Sequence, residues 1–262
     1  MSILDTIRQH KLIEIAERKL QSPVTQLEQG LYFKRQCISL KAAVENPAKN
    51  GIVAEFKRRS PSKGDINQNA DAAAVTSGYL KAGASALSVL TDSHFFGAKE
   101  DDFAVARVAN NCAILRKDFV LDEYQIVEAK SMGADAILLI AKMLSVTEVN
   151  KLTTIAHQLG MEVLLETHTE AEVLQNIDTL ADIVGINNRN LNTFDVDIKN
   201  SIRLAEMLPK HICKIAESGI ESADTIRTLR QQGFNGFLIG EYFMRRTNPA
   251  EQCSKLIQQL VS

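Results

Sequence analysis

Tryptophan is absent from the 262 residues and only 5% of them are aromatic, a scarcity that excludes no activity. Cysteine is sparse as well. Cys37, Cys112, Cys213 and Cys253 are scattered with no C-x-x-C pair, which suits free thiols in a reducing compartment better than a disulfide framework. His10, His94, His157, His168 and His211 form no H-x-x-x-H and have no cysteine beside them, so no metal site is expected. Surface or supporting roles suit these histidines better. Charge of one sign is not in excess: the formal net charge is −2, against the strongly basic footprint of a nucleic-acid binder. The one basic cluster, Lys57, Arg58, Arg59 and Lys63, is local. The most apolar run, ADAILLIAKML (134–144), is too short and too charged to cross a bilayer. The opening MSILDTIRQHKL lacks the apolar core of a signal peptide, so a cytoplasmic protein is expected. No linker-like or low-complexity segment divides the chain, and a single domain over 1–262 is expected.

What is present is ample for a sizeable core: 45% hydrophobic residues beside 24% charged ones. Residues 1–45 read as an N-terminal helical extension packed on that domain. Ile3, Leu4, Ile7, Leu12, Ile15, Ala16 and Leu20 make an amphipathic stripe. Ser22-Pro23 interrupts it, because proline disfavours helix in the residue before it. Shorter helical segments are expected around 24–30 and 36–45.

From residue 51 short β-rich apolar runs alternate with longer amphipathic segments. The runs are GIVAEF (51–56), ALSVLTD (86–92), AILRKDF (113–119), AILLIAKM (136–143), EVLLETH (162–168), IVGINNR (183–189), CKIAESG (213–219) and GFLIGEY (236–242). Between them DAAAVTSGYLKAG, EYQIVEAKSMGA, VTEVNKLTTIAHQLG and SADTIRTLRQQG read as helices, with Gly83, Gly160 and Gly233 where C-caps belong. Eight such units over about 210 residues predict an α/β fold, a parallel (β/α)8 or TIM barrel, for which about 250 residues is typical. A doubly wound open sheet is disfavoured by the lack of a dinucleotide fingerprint.

In a parallel barrel the chemistry sits at the C-terminal ends of the strands. Nearly every run here ends in polar or ionisable residues. The first gives Glu55 and Lys57, which share a face because i and i+2 point the same way. Then come Asp92; Arg116, Lys117 and Asp118; Lys142; Glu166; Asn187, Asn188 and Arg189; Glu217 and Ser218; and Gly240 and Glu241. The strand starts offer mostly Gly, Ala or Cys, with Glu162 the main exception, so the charges are expected to converge on one rim. Opposite charges at close quarters hold each other's pKa values away from solution values, as acid–base chemistry requires. In AESGI (216–220) and LIGEYF (238–243) a small residue stands where a strand turns toward a helix. The loops after strands seven and eight of such barrels often bind phosphate through backbone N–H groups. Gly219 and Gly240 permit that approach, and Arg189, Ser60 and Lys57 could add contacts. An anionic substrate with one phosphate is therefore expected; spacing alone does not name the reaction.

At these residues the chain resembles the indole-3-glycerol-phosphate synthases of tryptophan biosynthesis. The motifs are AEFKRRSPSKG, SVLTD, LRKDF, YQIVEAKSMGADAILLI, GMEVLLETH, GINNRNLNTFDVD, ESGI and FLIGEYFMR, in order over essentially the whole chain. The resemblance implies that 1-(2-carboxyphenylamino)-1-deoxyribulose 5-phosphate cyclises with loss of CO2 and water, without cofactor or metal. It implies Lys117 as the general acid at the ribulose carbonyl and Glu166 as the proton-transfer group of the dehydration. Lys57 would contact the carboxylate or phosphate region or act as an acid in dehydration, and that choice stays open. Glu55 would orient Lys57 and bind the sugar hydroxyls, with Asn187 and Ser218 completing the polar wall. Ser60, Arg189, Gly219, Gly240 and Glu241, the last through its backbone N–H, would hold the phosphate. Phe95, Phe96, Phe119 and Leu138 are the candidates for an apolar slot around the anthranilate ring.

After SVLTD the family has an aromatic pair followed, one residue on, by Gly-Ser, where this chain has Ala98 and Lys99. The loop after strand two is therefore expected to close differently over the ring. One version of the family is fused to phosphoribosylanthranilate isomerase; this chain has one barrel, so one activity is expected. A monomer is expected, with room for association with other tryptophan-pathway enzymes. Three rivals remain. A Schiff-base aldolase would use Lys117 or Lys142 as nucleophile. An isomerase-like barrel would need a Cys base at the first strand end, where none stands. A catalytically silent partner barrel is opposed by the intact Lys57, Lys117 and Glu166.

Overall fold

The computed structural model describes residues 3–190 and 194–261. The LNT of the GINNRNLNTFDVD motif, residues 191–193, lies outside the described residues, as do 1–2 and 262 of the expected domain. Eight strands form the barrel: β1 (Ile52–Phe56), β2 (Ala86–Leu90), β3 (Ile114–Lys117), β4 (Ala136–Ile140), β5 (Glu162–Thr167), β6 (Ile183–Asn187), β7 (Cys213–Glu217) and β8 (Gly236–Ile239). All pair in parallel in chain order, and β8 closes on β1 with Ile52 opposite Phe237. Every residue of β1, β2, β4, β6, β7 and β8 is buried. Burial on both faces is why these runs are continuously apolar rather than alternating.

The strands stop short of the runs read from sequence, for a local reason. Asp92 accepts the backbone N–H of Phe95 and starts the one-turn helix Ser93–Phe96. Gly240 likewise precedes the short helix Glu241–Met244, and Ala141–Met143 winds into a 3-10 turn after β4. The four anticipated crossover helices lie at Ala72–Lys81, Glu123–Met132, Val146–Gln158 and Ala223–Gln231. Two carry capping boxes, Asp122 with Gln125 and Ser145 with Glu148. Such a cap contributes about 1 kcal/mol by satisfying first-turn N–H groups. Gly83, Gly160 and Gly233 stand just beyond three of these helices in left-handed backbone.

The N-terminal segment forms α1 (Ile3–Gln21), α2 (Val24–Leu27) and α3 (Leu40–Glu45), the last two shorter than the sequence suggested. α1 buries Leu4, Ile7, Lys11 and Ile15, whereas Leu12 and Leu20 of the expected stripe are exposed. α3 plugs the strand-start end of the barrel. Its Val44 packs so close to Gly236 that a Cβ there would lie 3.2 Å from the valine. Glu162 accepts the Lys41 backbone N–H at 2.8 Å and the Ser39 hydroxyl, which explains a carboxylate at a strand start.

The expectation that charge gathers at one rim needs correcting. Fully buried Asp135, at the strand-start end, accepts from Arg35, from Arg107 at 2.8 Å and from the backbone N–H groups of Ile38 and Ile114. Lys214 is buried there too. Through Arg35 and Ile38, Asp135 ties the N-terminal segment to the barrel. The opposite end stays open.

Candidate active site

A pocket opens at the C-terminal ends of the strands, between α1 and the segments that follow β1, β6, β7 and β8. Strand parity decides what faces it. Lys117 points inward, while its neighbour Arg116 points outward to Glu128 at 2.6 Å and to the Gln125 carbonyl at 3.0 Å. Lys117 Nζ lies 2.9 Å from Glu166 Oε2 and 3.4 Å from Glu217 Oε2. Beside it, Lys57 Nζ meets Glu55 Oε1 at 2.9 Å, the same-face pair expected at the end of β1. Glu166 Oε1 accepts from Asn187 Nδ2 at 3.1 Å, and Asn187 Oδ1 accepts the Arg189 backbone N–H at 2.9 Å.

The protonation states follow from this packing. Burial disfavours the Lys117 ammonium, but the facing carboxylates of Glu166, Glu217 and Glu55 outweigh it and raise its pKa. Glu166 is buried, yet Lys117 and His168 hold it well below the usual carboxylate range. Glu217 goes the other way: burial, with Glu166 and Glu55 nearby, overcomes Lys117 and pushes it up to about 8. Near pH 7 an ammonium therefore stands between an ionised carboxylate and a protonated one. Environments that drive two carboxyls apart mark acid–base sites.

At the other end of the pocket Ser218 and Gly219 both adopt left-handed backbone with φ 68°. The Ser218 carbonyl accepts from Asn188 Nδ2 at 2.7 Å, which holds the turn. A Cβ at Gly240 would lie 2.4 Å from Glu55 Oε1, so the missing side chain is what lets β8 end against the site. Arg189 Nη2 pairs with Glu241 Oε2 at 3.1 Å. Ser60 sits in a two-stranded ribbon, Arg59–Ser60 with Gly64–Asp65, that arches from β1. The basic run there is not wholly solvated. Arg58 is buried and forks onto Asp102, Nε at 2.8 Å and Nη2 at 2.6 Å, tethering the root of the ribbon.

Among the described residues no three His, Cys, Asp or Glu side chains are grouped to hold a metal ion. Among the described residues no helix is long and apolar enough to cross a membrane.

Residues 4–256 match the family model for indole-3-glycerol phosphate synthase. The chain belongs to the indole-3-glycerol phosphate synthase family. It is 45% identical over 258 residues to the indole-3-glycerol phosphate synthase of Bacteroides thetaiotaomicron, covering 98% of each chain. It is 40% identical over 265 residues to a multifunctional tryptophan biosynthesis protein of Schizosaccharomyces pombe, covering 98% of this chain and 35% of that one. Among solved structures, one of the tryptophan synthase α2β2 complex from Pyrococcus furiosus aligns with TM-score 0.59 over 81% of this chain and 98% of the other. At 16% identity that likeness concerns the barrel alone. Membership makes the chain a carboxy-lyase of tryptophan biosynthesis, the enzyme that forms the indole ring.

The site residues expected of an indole-3-glycerol phosphate synthase come together with one exception. Lys57, Lys117, Glu55, Glu166, Asn187, Ser218, Ser60, Arg189, Gly219, Gly240 and Glu241 all line the one pocket, as do Phe96, Phe119 and Leu138. Phe95 does not. Adjacent residues of a helical turn face different ways, so when Phe96 enters the pocket Phe95 turns to α1. There its ring meets His94 at 4.6 Å and His10 at 5.5 Å, edge-on. Three strand-end charges also leave the site: Lys142 is exposed outside the pocket, Asp92 is buried against Lys11, and Arg116 is turned outward to Glu128.

Sequence reasoning named Glu217 as a strand end without giving it a role. Its place under Lys117 depends on Gly185, where a Cβ would lie 2.2 Å from Glu217 Oε1. Ile3, Leu4 and Ile7 of α1 and Phe194 of the segment after β6 also line the pocket unanticipated. The apolar stripe of α1 was the available signal; Phe194 carried none.

Proposed function

We propose that this pocket closes the indole ring of 1-(2-carboxyphenylamino)-1-deoxyribulose 5-phosphate by general acid–base catalysis, with Lys117 as the acid. The observation that carries the reading is the Lys117 ammonium held between Glu166 and Glu217 on the pocket floor. The aromatic carbon bearing the carboxylate attacks the ribulose carbonyl carbon, and the carbonyl oxygen takes a proton from Lys117. A cation beside the developing alkoxide, in a site shielded from water, stabilises that step. Loss of CO2 then restores the benzene ring. The hydroxyl leaves as water with a proton from Lys57, or from Lys117 once solvent has reprotonated it, and Glu166 takes the proton from the carbon next to nitrogen.

Glu55 orients Lys57 and meets the sugar hydroxyls, with Asn187 and Ser218 completing the wall. Ser60, Arg189, Gly219, Gly240 and the Glu241 N–H hold the phosphate, so Arg189 must exchange its Glu241 partner for the ligand. Phe96, Phe119 and Leu138 flank the anthranilate ring. A Schiff-base aldolase is disfavoured, because a nucleophilic lysine needs its amine neutral and the Lys117 carboxylates hold the ammonium. Residues 1–45 extend a single barrel domain that works as a cytoplasmic monomer. The fused Schizosaccharomyces pombe relative supports association with other enzymes of the pathway.

The test is indole fluorescence from purified protein and this substrate without added metal. Indoleglycerol phosphate is expected, with Glu166→Gln slowed on the order of 100-fold or more while KM is largely kept. No product from folded protein would overturn the reading, and a borohydride-trapped adduct would favour the aldolase.

A further inference from the structure

His168 takes no part in the scheme above and does not line the pocket, yet it stands directly behind Glu166. Its Nε2 lies 3.1 Å from Glu166 Oε1 and its Nδ1 3.5 Å from Glu172 Oε2, with only 7% of the side chain exposed. Glu172, on the helix Glu170–Gln175 after β5, also accepts the His168 backbone N–H at 2.7 Å. One carboxylate therefore holds the main chain and sets a negative charge beside the ring. The charged groups facing the imidazole are Glu166 from its own strand end and Glu172 from the next helix. Asn200, from the helix Ile198–Glu206, reaches the His168 carbonyl at 3.4 Å and brings no charge.

Glu166 divides its two oxygens between two tasks. Oε2 meets Lys117 at 2.9 Å, while Oε1 faces His168 and Asn187, each at 3.1 Å. We infer that His168 is a positioning residue, clamping the rear oxygen of Glu166 so that the front oxygen stays aimed at Lys117 and the substrate. The inference rests on the role of Glu166 proposed above.

The need for the clamp arises during turnover. When Lys117 gives its proton to the carbonyl oxygen, Glu166 loses its forward counter-charge inside a buried site. A cation behind it keeps the carboxylate compensated and in place until it acts as base. Burial alone would discharge the imidazole, but Glu166 and Glu172 outweigh it and push His168 up to about 9, so the ring is cationic at neutral pH. Asn187 cannot substitute, since its amide is a neutral donor.

The experiment compares kcat and KM across pH for wild type, His168→Gln, Glu172→Gln, Glu166→Gln and the His168→Gln, Glu166→Gln double variant. Glutamine keeps an N–H at position 168 and removes the charge. His168→Gln is expected to lower kcat on the order of 10- to 100-fold with KM nearly unchanged, the loss typical of a displaced catalytic group. Wild-type kcat is expected to fall above about pH 9, where the imidazole loses its charge, with that limb absent in His168→Gln and moved to lower pH in Glu172→Gln. In the Glu166→Gln background His168→Gln costs nothing further, because its effect passes through Glu166.

Wild-type kcat in His168→Gln, or an equal loss with and without Glu166, overturns the inference. Should His168→Gln fail to fold, an unmoved alkaline limb in Glu172→Gln overturns it as well. Full turnover in Glu166→Gln would sink the role of Glu166 and the inference together. An inactive Glu166→Gln beside a fully active His168→Gln would sink the inference alone.

Discussion

Two lysines in this barrel, half-buried Lys117 and fully buried Lys11, are each surrounded by carboxylates, and of the two only Lys117 faces the pocket. Lys11, on α1, meets Asp92 at 2.7 Å, Glu14 at 2.9 Å and Asp118 at 2.9 Å, with 1% of its side chain exposed. Burial disfavours both charges there, but the attraction wins. Lys11 is raised by Asp118, Asp92 and Glu14, and Asp118 is held far below the ordinary range by Lys11 and Arg116. The spare oxygens are used as well. Asp92 caps Phe95, and Asp118 accepts from Thr91 at 2.6 Å and from the Phe119 N–H at 2.8 Å.

The cage around Lys117 lines the pocket instead. Among the described residues Glu217 Oε1 has no hydrogen-bond partner, and that carboxyl is pushed up to about 8. The cage closed off from the pocket locks α1 over the ends of β2 and β3. The cage open to the pocket leaves protons that can move. The same residue types thus serve stability or chemistry according to whether they face the pocket.

Removing the two ammonium groups is the sharpest way to break this comparison. Lys117→Ala is expected to cut turnover on the order of 10,000-fold while the circular dichroism and melting stay near wild type. Near-normal activity would refute Lys117 as the acid. Lys11→Met leaves Asp92 and Asp118 buried without their cation, which costs about 3–5 kcal/mol in denaturant unfolding. The fraction that stays folded should keep kcat and show a raised KM, because Ile3, Leu4 and Ile7 of α1 wall the pocket. If Lys11→Met instead abolished turnover at unchanged stability, the two cages would not differ in kind.

Arg189→Ala tests the phosphate end of the same pocket. Loss of a charge-assisted contact is expected to raise KM roughly 10- to 100-fold with kcat nearly constant. A fall in kcat at unchanged KM would overturn the phosphate assignment.

The remaining test concerns Glu217 and pH. Its folded pKa lies above the ordinary 4.5, so between about pH 4.5 and 8 the native state binds the extra proton. Its contribution to stability therefore falls as pH rises through that interval, by at most about 1.4 kcal/mol per pH unit. Unfolding midpoints at about pH 5 and pH 8 should lie closer together in Glu217→Gln than in wild type. An equal separation would show that Glu217 is ionised in the native state throughout.

Much of the site was legible from strand ends, and the failures have one cause. Glu55 and Lys57 were placed on one face by strand periodicity alone, and their 2.9 Å contact follows directly. Lys142 looked equivalent, but the 3-10 turn after β4 carries it outside the pocket. Phe95 and Phe96 are indistinguishable as letters, and only the one-turn helix capped by Asp92 separates them. The apparent lack of charge at the strand starts missed Asp135, which pairs with Arg35 and Arg107 far away in sequence, and Lys214, whose Nζ reaches the nearby carbonyls of Pro209 and Ile212. His168 read as a supporting histidine, and what it supports became visible beside Glu166 and Glu172.

The sequence by itself determined the eight strands, the crossover helices and the polar ends of the strands. These rest on local causes: continuous apolar runs, N-cap residues, and glycines just beyond helices. The tertiary structure decided which charges meet. Barrel closure puts Lys117 inside and Arg116 outside, brings Glu166 and Glu217 from β5 and β7 to one ammonium, and lays α1 over the pocket. Those choices depend on groups far apart in the chain, where periodicity carries no information and only packing and charge compensation select the partner.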